Sequence, residues 1–494
     1  MNPRRTPLRL LAASLVLIGL ALALLGFPAR GARVEESAFA FLSTDRPGIT
    51  AHNSPAVAAD PSRPQSMAMA DKIDTPNIDC TVSTSSNGGS TWTEVDLPLP
   101  DPATQCFWPD VAFDDGGDLL VLYTDLRERF NQSKGVWLQR FSGGSPAGEP
   151  TKVAGDHSFH ARLAVDANRV FVAWVQAGSD TPFQPLGIAP GASPLMLAAS
   201  ADGGRTFAAP VTVSAPGQLV LQPTVLVTND DVVVGALDLG DDLLDYESRH
   251  EGQAGEPYEG AWHVVAWTSS DRGRTFDRAA TVADVEPPQR IYVDITAPTP
   301  GFGLDRASGR IYATWDSGIG DARDVYLSHS DDGGRTWAAA SRLPRESSQT
   351  LPTVAVAPGG RVDLLFYDRS RDPTDVMTVP MMASSWDRGR SFTARAISDR
   401  PFDSRIGFGS LQGLPSLGQQ LGLISEADRA LAFWSDTRKG SVDTNAQELA
   451  LALVDVEEGK GRRWPLVALA VVLVVAGVAV AVRAQPLGAR PNSR

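Results

Sequence analysis

At 494 residues the chain is too long for one ordinary domain, unless that domain is a repeat architecture that grows by adding units. A formal net charge of −14 argues against nucleic acid and other polyanions as partners, and 43% hydrophobic with 21% charged residues describes a globular, not a low-complexity, chain. Two cysteines, Cys80 and Cys106, are too few for a disulfide scaffold or a thiolate metal cluster.

Arg4, Arg5 and Arg9 precede an apolar run over residues 10–27, the layout of an export signal. Ala29 and Gly31 offer small residues for cleavage after Gly31, but the flanking arginines make a poor site. Residues 1–32 therefore read as a signal peptide or as an uncleaved signal anchor. The stretch 33–458 is expected outside the cytoplasm, where the two cysteines either form a Cys80–Cys106 bridge or stay as buried thiols. Residues 464–482 (WPLVALAVVLVVAGVAVAV) carry no charge and are bracketed by Arg462, Arg463 and Arg483. At about 1.5 Å per residue such a helix covers most of a roughly 30 Å hydrocarbon core. A transmembrane helix is predicted there, leaving 483–494 as a short cytoplasmic tail.

Between the two apolar ends the chain repeats itself. An eight-residue box, Ser-x-Asp-x-Gly-x-Thr-aromatic, occurs as SSNGGSTW (85–92), SADGGRTF (200–207), SSDRGRTF (269–276), SDDGGRTW (330–337) and SWDRGRSF (385–392). Asn87, Asp202, Asp271, Asp332 and Asp387 hold the acceptor position, suited to backbone N–H groups of a hairpin turn. Glycine supplies the positive φ and the aromatic packs beneath.

A second frame precedes the boxes: Pro-x-Val-Ala, a turn, then an alternating strand with an acidic end. It reads SPAVAADPSRPQSMAMAD (54–71), WPDVAFDDGGDLLVLYTD (108–125), QPTVLVTNDDVVVGALD (222–238), PGFGLDRASGRIYATWD (300–316) and LPTVAVAPGGRVDLLFYD (351–368). HARLAVDANRVFVAWVQ (160–176) and GQQLGLISEADRALAFWSD (418–436) are degenerate copies. With a third strand before each box and a fourth after it, every unit has four short antiparallel strands. The expected fold is all-β, a propeller of seven blades, with six as the alternative and one C-terminal transmembrane helix added. Residues 38–43 (AFAFLS) are expected to close the ring as an outer strand of the last blade.

The boxes and frames over residues 45–455 resemble the sialidase superfamily, whose hallmark is the Asp box in a propeller. WSDTRKG (434–440) and DVYLSHSDDGGRTWAAA (324–340) are closer to secreted Asp-box repeat proteins than to true sialidases. In such blades the boxes share one face, and the inter-blade links share the other. The resemblance implies structural boxes and a site on the link face near the axis.

Candidate residues follow from that division of faces. The second strands end at Asp71, Asp125, Asp238, Asp316, Asp368 and Asp436, with Gln176 in the third unit, and Arg127, Arg369 and Arg438 follow closely. Asp125, Arg127, Asp316, Asp368, Arg369, Asp436 and Arg438 are read as a ligand-binding mouth, or else as ties between blades. No cofactor is expected, although calcium would suit such carboxylates if enough oxygens converged. Sialidase chemistry needs three arginines around a carboxylate, and the candidates are Arg46, Arg290 and Arg405. Tyr246-Glu247 and Tyr258-Glu259 lie in the acidic loop 239–261, read as a solvated insertion or a lid. His157 and His160 beside Asp156 are a weak metal motif, and no metal site is assigned. The expectation is a membrane-tethered propeller binding a glycan or a surface protein. An exo-sialidase-type hydrolase and a structural envelope scaffold are the alternatives.

Overall fold

The computed structural model describes residue 14 and residues 33–43, 51–74, 77–101, 105–127, 132–177, 193–228, 231–240, 242, 260–286, 300–319, 322–343, 348–407 and 416–458. The apolar segments 10–27 and 464–482, Arg46 and Arg290 lie outside these residues, as does most of the loop 239–261, both its tyrosines included. No helix among the described residues is long and apolar enough to cross a membrane.

Residues from Val34 to Val456 form one compact unit of seven antiparallel sheets, so the chain has seven blades and not six. Blade 1 shows the plan: His52–Ala59, Met67–Ile73, Asp79–Ser85 and Thr93–Glu94 pair in order from the axis outward. The innermost strands of blades 2 to 7 are Gln105–Phe113, Ser158–Asp166, Val220–Thr228, Gly301–Asp305, Gln349–Val356 and Gly422–Ser425. In blade 7 the next strands are Arg429–Asp436 and Glu448–Glu457, and the outermost is Arg33–Phe41 from the start of the ring. That closing strand covers residues 38–41 of the expected segment. Phe39 packs 5.8 Å from Trp434, and the Arg438 and Lys439 cations lie 4.6 and 4.4 Å from the Phe39 and Phe41 ring centres.

No blade buries its side chains alone. The seven largest apolar clusters among the described residues each straddle a seam between neighbours, from blades 1 and 2 around to blades 7 and 1. A strand buried on both faces reads as a continuous apolar run, which residues 119–123 (LLVLY), all buried, show. Ring closure therefore removes both raw faces that an open stack would leave.

The boxes tighten these seams. In Asp202 one carboxylate oxygen accepts the Arg205 and Thr206 N–H groups at 3.0 and 2.9 Å, while the other takes the Thr206 hydroxyl at 2.6 Å. Asp271, Asp332 and Asp387 repeat the pattern, and Asn87 imitates it with an amide. The Thr206 and Thr275 side chains hold the Asp202 and Asp271 carboxyls down to about 2. The next glycine in each box has φ > 0 and abuts the preceding blade: a Cβ on Gly204 would sit 2.3 Å from Leu138, and one on Gly89 2.3 Å from Leu431. Gly273 and Gly389 meet Leu197 and Leu327 in the same way. Each box is thus a turn and also the foot with which one blade stands on another.

Candidate functional site

The inter-blade links enter the innermost strands on the face opposite the boxes. Shortly inside that entrance, five of these strands carry the same irregularity. Their registers slip between Asn53 and Ala56, Phe107 and Asp110, Phe159 and Arg162, Leu221 and Thr224, and Thr350 and Thr353. Two residues there oppose one on the second strand, a β-bulge. The first bulged residue is left-handed each time: Ser54, Trp108, His160, Gln222 and Leu351, with φ between 52° and 57°. None is glycine, so each costs about 1–3 kcal/mol of backbone strain. A strain repeated around one end of an axis is held there by the fold, and bulges of this kind re-aim side chains.

What they re-aim is a connected polar and aromatic cluster. His160 of blade 3 stacks on Trp108 of blade 2, ring centres 4.4 Å apart. Lys72 at the end of blade 1's second strand places its ammonium 5.0 Å from the Phe107 ring centre and 5.4 Å from that of Trp108. Asp74 holds that ammonium at 3.0 Å and also takes the Asn53 amide at 2.7 Å. Burial, with the Arg162 and Lys72 cations nearby, pushes the His160 imidazole down to about 3, so the ring is neutral.

Just inside the bulges, residues of all seven innermost strands or their approaches line an axial cavity of about 270 Å³. Asp110 and Arg162 supply its charges. The Asp110 carboxylate accepts the Val111 and Leu163 N–H groups at 3.0 and 2.9 Å; burial raises it, and the Arg162 cation opposes that rise. Arg162 donates to the Gln420 side-chain oxygen, and Gln420 donates onward to the Ser54 carbonyl at 3.1 Å. Blades 3, 7 and 1 are thereby connected by one polar strut.

Several groups on these bulges are buried with no hydrogen-bond partner: the Trp108 indole nitrogen, His160 Nδ1, and both the oxygen and nitrogen of the Gln222 amide. Each unmade bond at a buried group costs about 1–3 kcal/mol. They stand on equivalent bulges of three consecutive blades.

The carboxylates expected to line a mouth are turned into the protein. Asp125, Asp316, Asp368 and Asp436 are all buried. Asp316 is bound by Arg323 at 2.6 Å, and also accepts the Leu351 N–H of the next blade at 3.3 Å. Asp368 takes the Ser370 hydroxyl at 2.5 Å and the Gln349 amide at 3.3 Å. Asp436 takes the Trp434 indole N–H at 2.9 Å and pairs with Arg438 at 2.7 Å. Arg369 turns to Asp375 at 3.2 Å. Arg127 ends its strand beyond Asp125, which faces Cys106 across the pair. Arg405 is exposed and doubly bonded to Asp403, at 3.0 and 2.6 Å. His157 and His160 do not meet in a metal group, and none of three or more His, Cys, Asp or Glu occurs among the described residues. Cys80 and Cys106 are joined in a disulfide, Cα atoms 5.4 Å apart, tying blade 1 to the strand that carries Trp108.

Sequence reasoning passed over Trp108, Gln222, Lys72, Asp110, Arg162 and Gln420. The signal was present in the frame SPAV, WPDV, QPTV, LPTV: the residue before the proline changes from copy to copy while its surroundings repeat.

No family model matches the chain, and no curated protein does. Solved structures resemble it in fold. A Dyadobacter fermentans protein of unknown function shares 13% identity over 86% of this chain and 99% of its own, with a TM-score of 0.48. A PL25 ulvan lyase bound to -[GlcA(1-4)Rha3S]- shares 11% over 86% and 98%, with a TM-score of 0.49. A Hadza microbial sialidase, Hz136, shares 15% over 82% and 66%, with a TM-score of 0.43.

Proposed function

We propose that the protein is a membrane-anchored, extracytoplasmic recognition propeller that binds a carbohydrate at the link-face end of its axis. The observation that carries this reading is the set of buried, unpartnered polar groups of Trp108, His160 and Gln222 on consecutive bulges. Together they offer an indole donor, an imidazole nitrogen and both halves of an amide beside aromatic surface. Sugar hydroxyls, which donate and accept at once, answer that combination, and aromatic faces suit sugar rings. Lys72 and Arg162 add positive charge at the same end of an acidic chain.

Binding is favoured over hydrolysis. Asp110 is committed to two backbone N–H groups in the field of the Arg162 cation, which leaves it poorly placed to exchange protons with a substrate. Arg405 is committed to Asp403. The apolar span 464–482 supports the anchor, and the disulfide supports an oxidising compartment.

The test uses the full chain in detergent, on a glycan array and against a fluorogenic sialoside. Binding without turnover is expected. Trp108→Phe, which removes the indole N–H and keeps a ring, should weaken binding about tenfold, the ~1.4 kcal/mol of one good hydrogen bond. Sialoside turnover, or binding indifferent to both Trp108→Phe and Gln222→Leu, would count against the proposal.

A further inference from the structure

Resting on the membrane reading above, we infer that the box face of blade 7 is the membrane-proximal surface and that the link face, with its axial cluster, is turned away from the bilayer. The argument is one of strand direction. In blade 7 the turn 426–428 follows the innermost strand and lies on the box face. The connection 437–447 follows the second strand and lies on the link face. Glu448–Glu457 therefore starts at the link face and ends at the box face. The closing strand Arg33–Phe41 runs against it: the Leu42 N–H donates to the Leu449 carbonyl at 2.8 Å, and the Ser37 hydroxyl to the Leu453 carbonyl at 3.1 Å. Arg33 and Glu457 consequently lie side by side at the box-face end of one blade.

Both apolar segments of the sequence leave from that place. Residues 458–463 separate the last strand from the span 464–482, and residues 28–32 separate the run 10–27 from the first strand. Such tethers reach at most about 20 Å at full extension. A span bound on so short a lead holds its own end of the blade near the lipid, and the opposite end of the axis then faces water. The result does not depend on the fate of the N-terminal segment. Cleavage after Gly31 leaves the closing strand whole, while retention adds a second anchor at the same edge. Arg4, Arg5 and Arg9 precede the first apolar segment, which suits a cytoplasmic flank there, while arginines stand on both sides of the second, Arg462 and Arg463 before it and Arg483 after, and set no direction. The ligand then arrives from the aqueous space or from an opposing surface, and not from headgroups of the protein's own membrane.

Both native cysteines are consumed in the disulfide, so one added thiol is labelled alone under non-reducing conditions. The full chain carrying Asp428→Cys on the box side, or Val442→Cys on the link side, is labelled with a fluorophore and reconstituted into vesicles whose headgroups bear nitroxide. Both positions are exposed. Quenching at residue 428 several-fold stronger than at residue 442 is the expected result. Equal or inverted quenching in protein that floats with the vesicles overturns the orientation and leaves the anchor standing. Protein that fails to float overturns the anchor and the orientation with it.

Discussion

His160 lies flat against Trp108, planes 28° apart, although the two residues belong to different blades and both hold left-handed backbones. Packing of this kind lets one strained position brace another. It also fixes the imidazole where protonation is costly, because the ring is buried and the Arg162 and Lys72 cations stand nearby.

A pH dependence follows with a definite sign. Unfolded, His160 takes its proton near 6.5; folded, it does so only near 3. Between those values the unfolded chain holds more protons, so stability rises with pH and this contribution is complete above 6.5. The slope from this group approaches about 1.4 kcal/mol per pH unit. Denaturant unfolding between pH 4 and 7 should show it, and His160→Phe, which keeps a stacking ring, should flatten that part of the curve. An unaltered curve would show that another group is responsible.

The box glycines separate backbone from packing effects. Gly204→Ala meets both a positive φ and the Leu138 side chain, whereas Gly143→Ala meets a positive φ with nothing within 4 Å. The Gly143 variant should lose about 1 kcal/mol and the Gly204 variant about 2–4 kcal/mol in chemical denaturation. Equal losses would mean that the box does not press on the neighbouring blade.

Acid should loosen the boxes in order. Asp202 and Asp271 are held near 2 against an ordinary 3.8, so their contribution is present above about 4 and is lost as pH falls toward 2. The Asn87 turn does not titrate in this way. Hydrogen exchange at pH 2.5 should therefore protect the 85–92 turn better, relative to pH 6, than the 200–207 and 269–276 turns. Uniform loss across all boxes contradicts the assignment.

Replacing both Cys80 and Cys106 by serine should cost about 2–4 kcal/mol, given the 26-residue separation that the bridge closes. Because Cys106 precedes Phe107 and Trp108, the near-ultraviolet circular dichroism of the folded variant should change as well. A stability loss with an unchanged aromatic spectrum would confine the bridge's role to the seam.

The repeats made the blades and their number readable, since the period-two alternation and the box turn are local signals that recur. The bulges were not readable. A residue before proline is ordinarily extended, and nothing in WPDV or QPTV announces a left-handed Trp108 or Gln222. The acidic strand ends were readable as positions but not as directions: Asp316 sits where expected, yet its carboxylate is spent on Arg323 and on the next blade. The strut from Arg162 to Gln420 joins residues 258 apart, beyond the reach of any sequence window.

The strand that completes blade 7 is made first and finds its place last. Translation delivers Arg33–Phe41 ahead of every other part of the ring, and its partner Glu448–Glu457 behind them. Until then the nascent protein is an arc with two raw ends, open to chaperones and proteases. The native lifetime should accordingly be governed by the escape of that one ribbon, well before any single blade gives way.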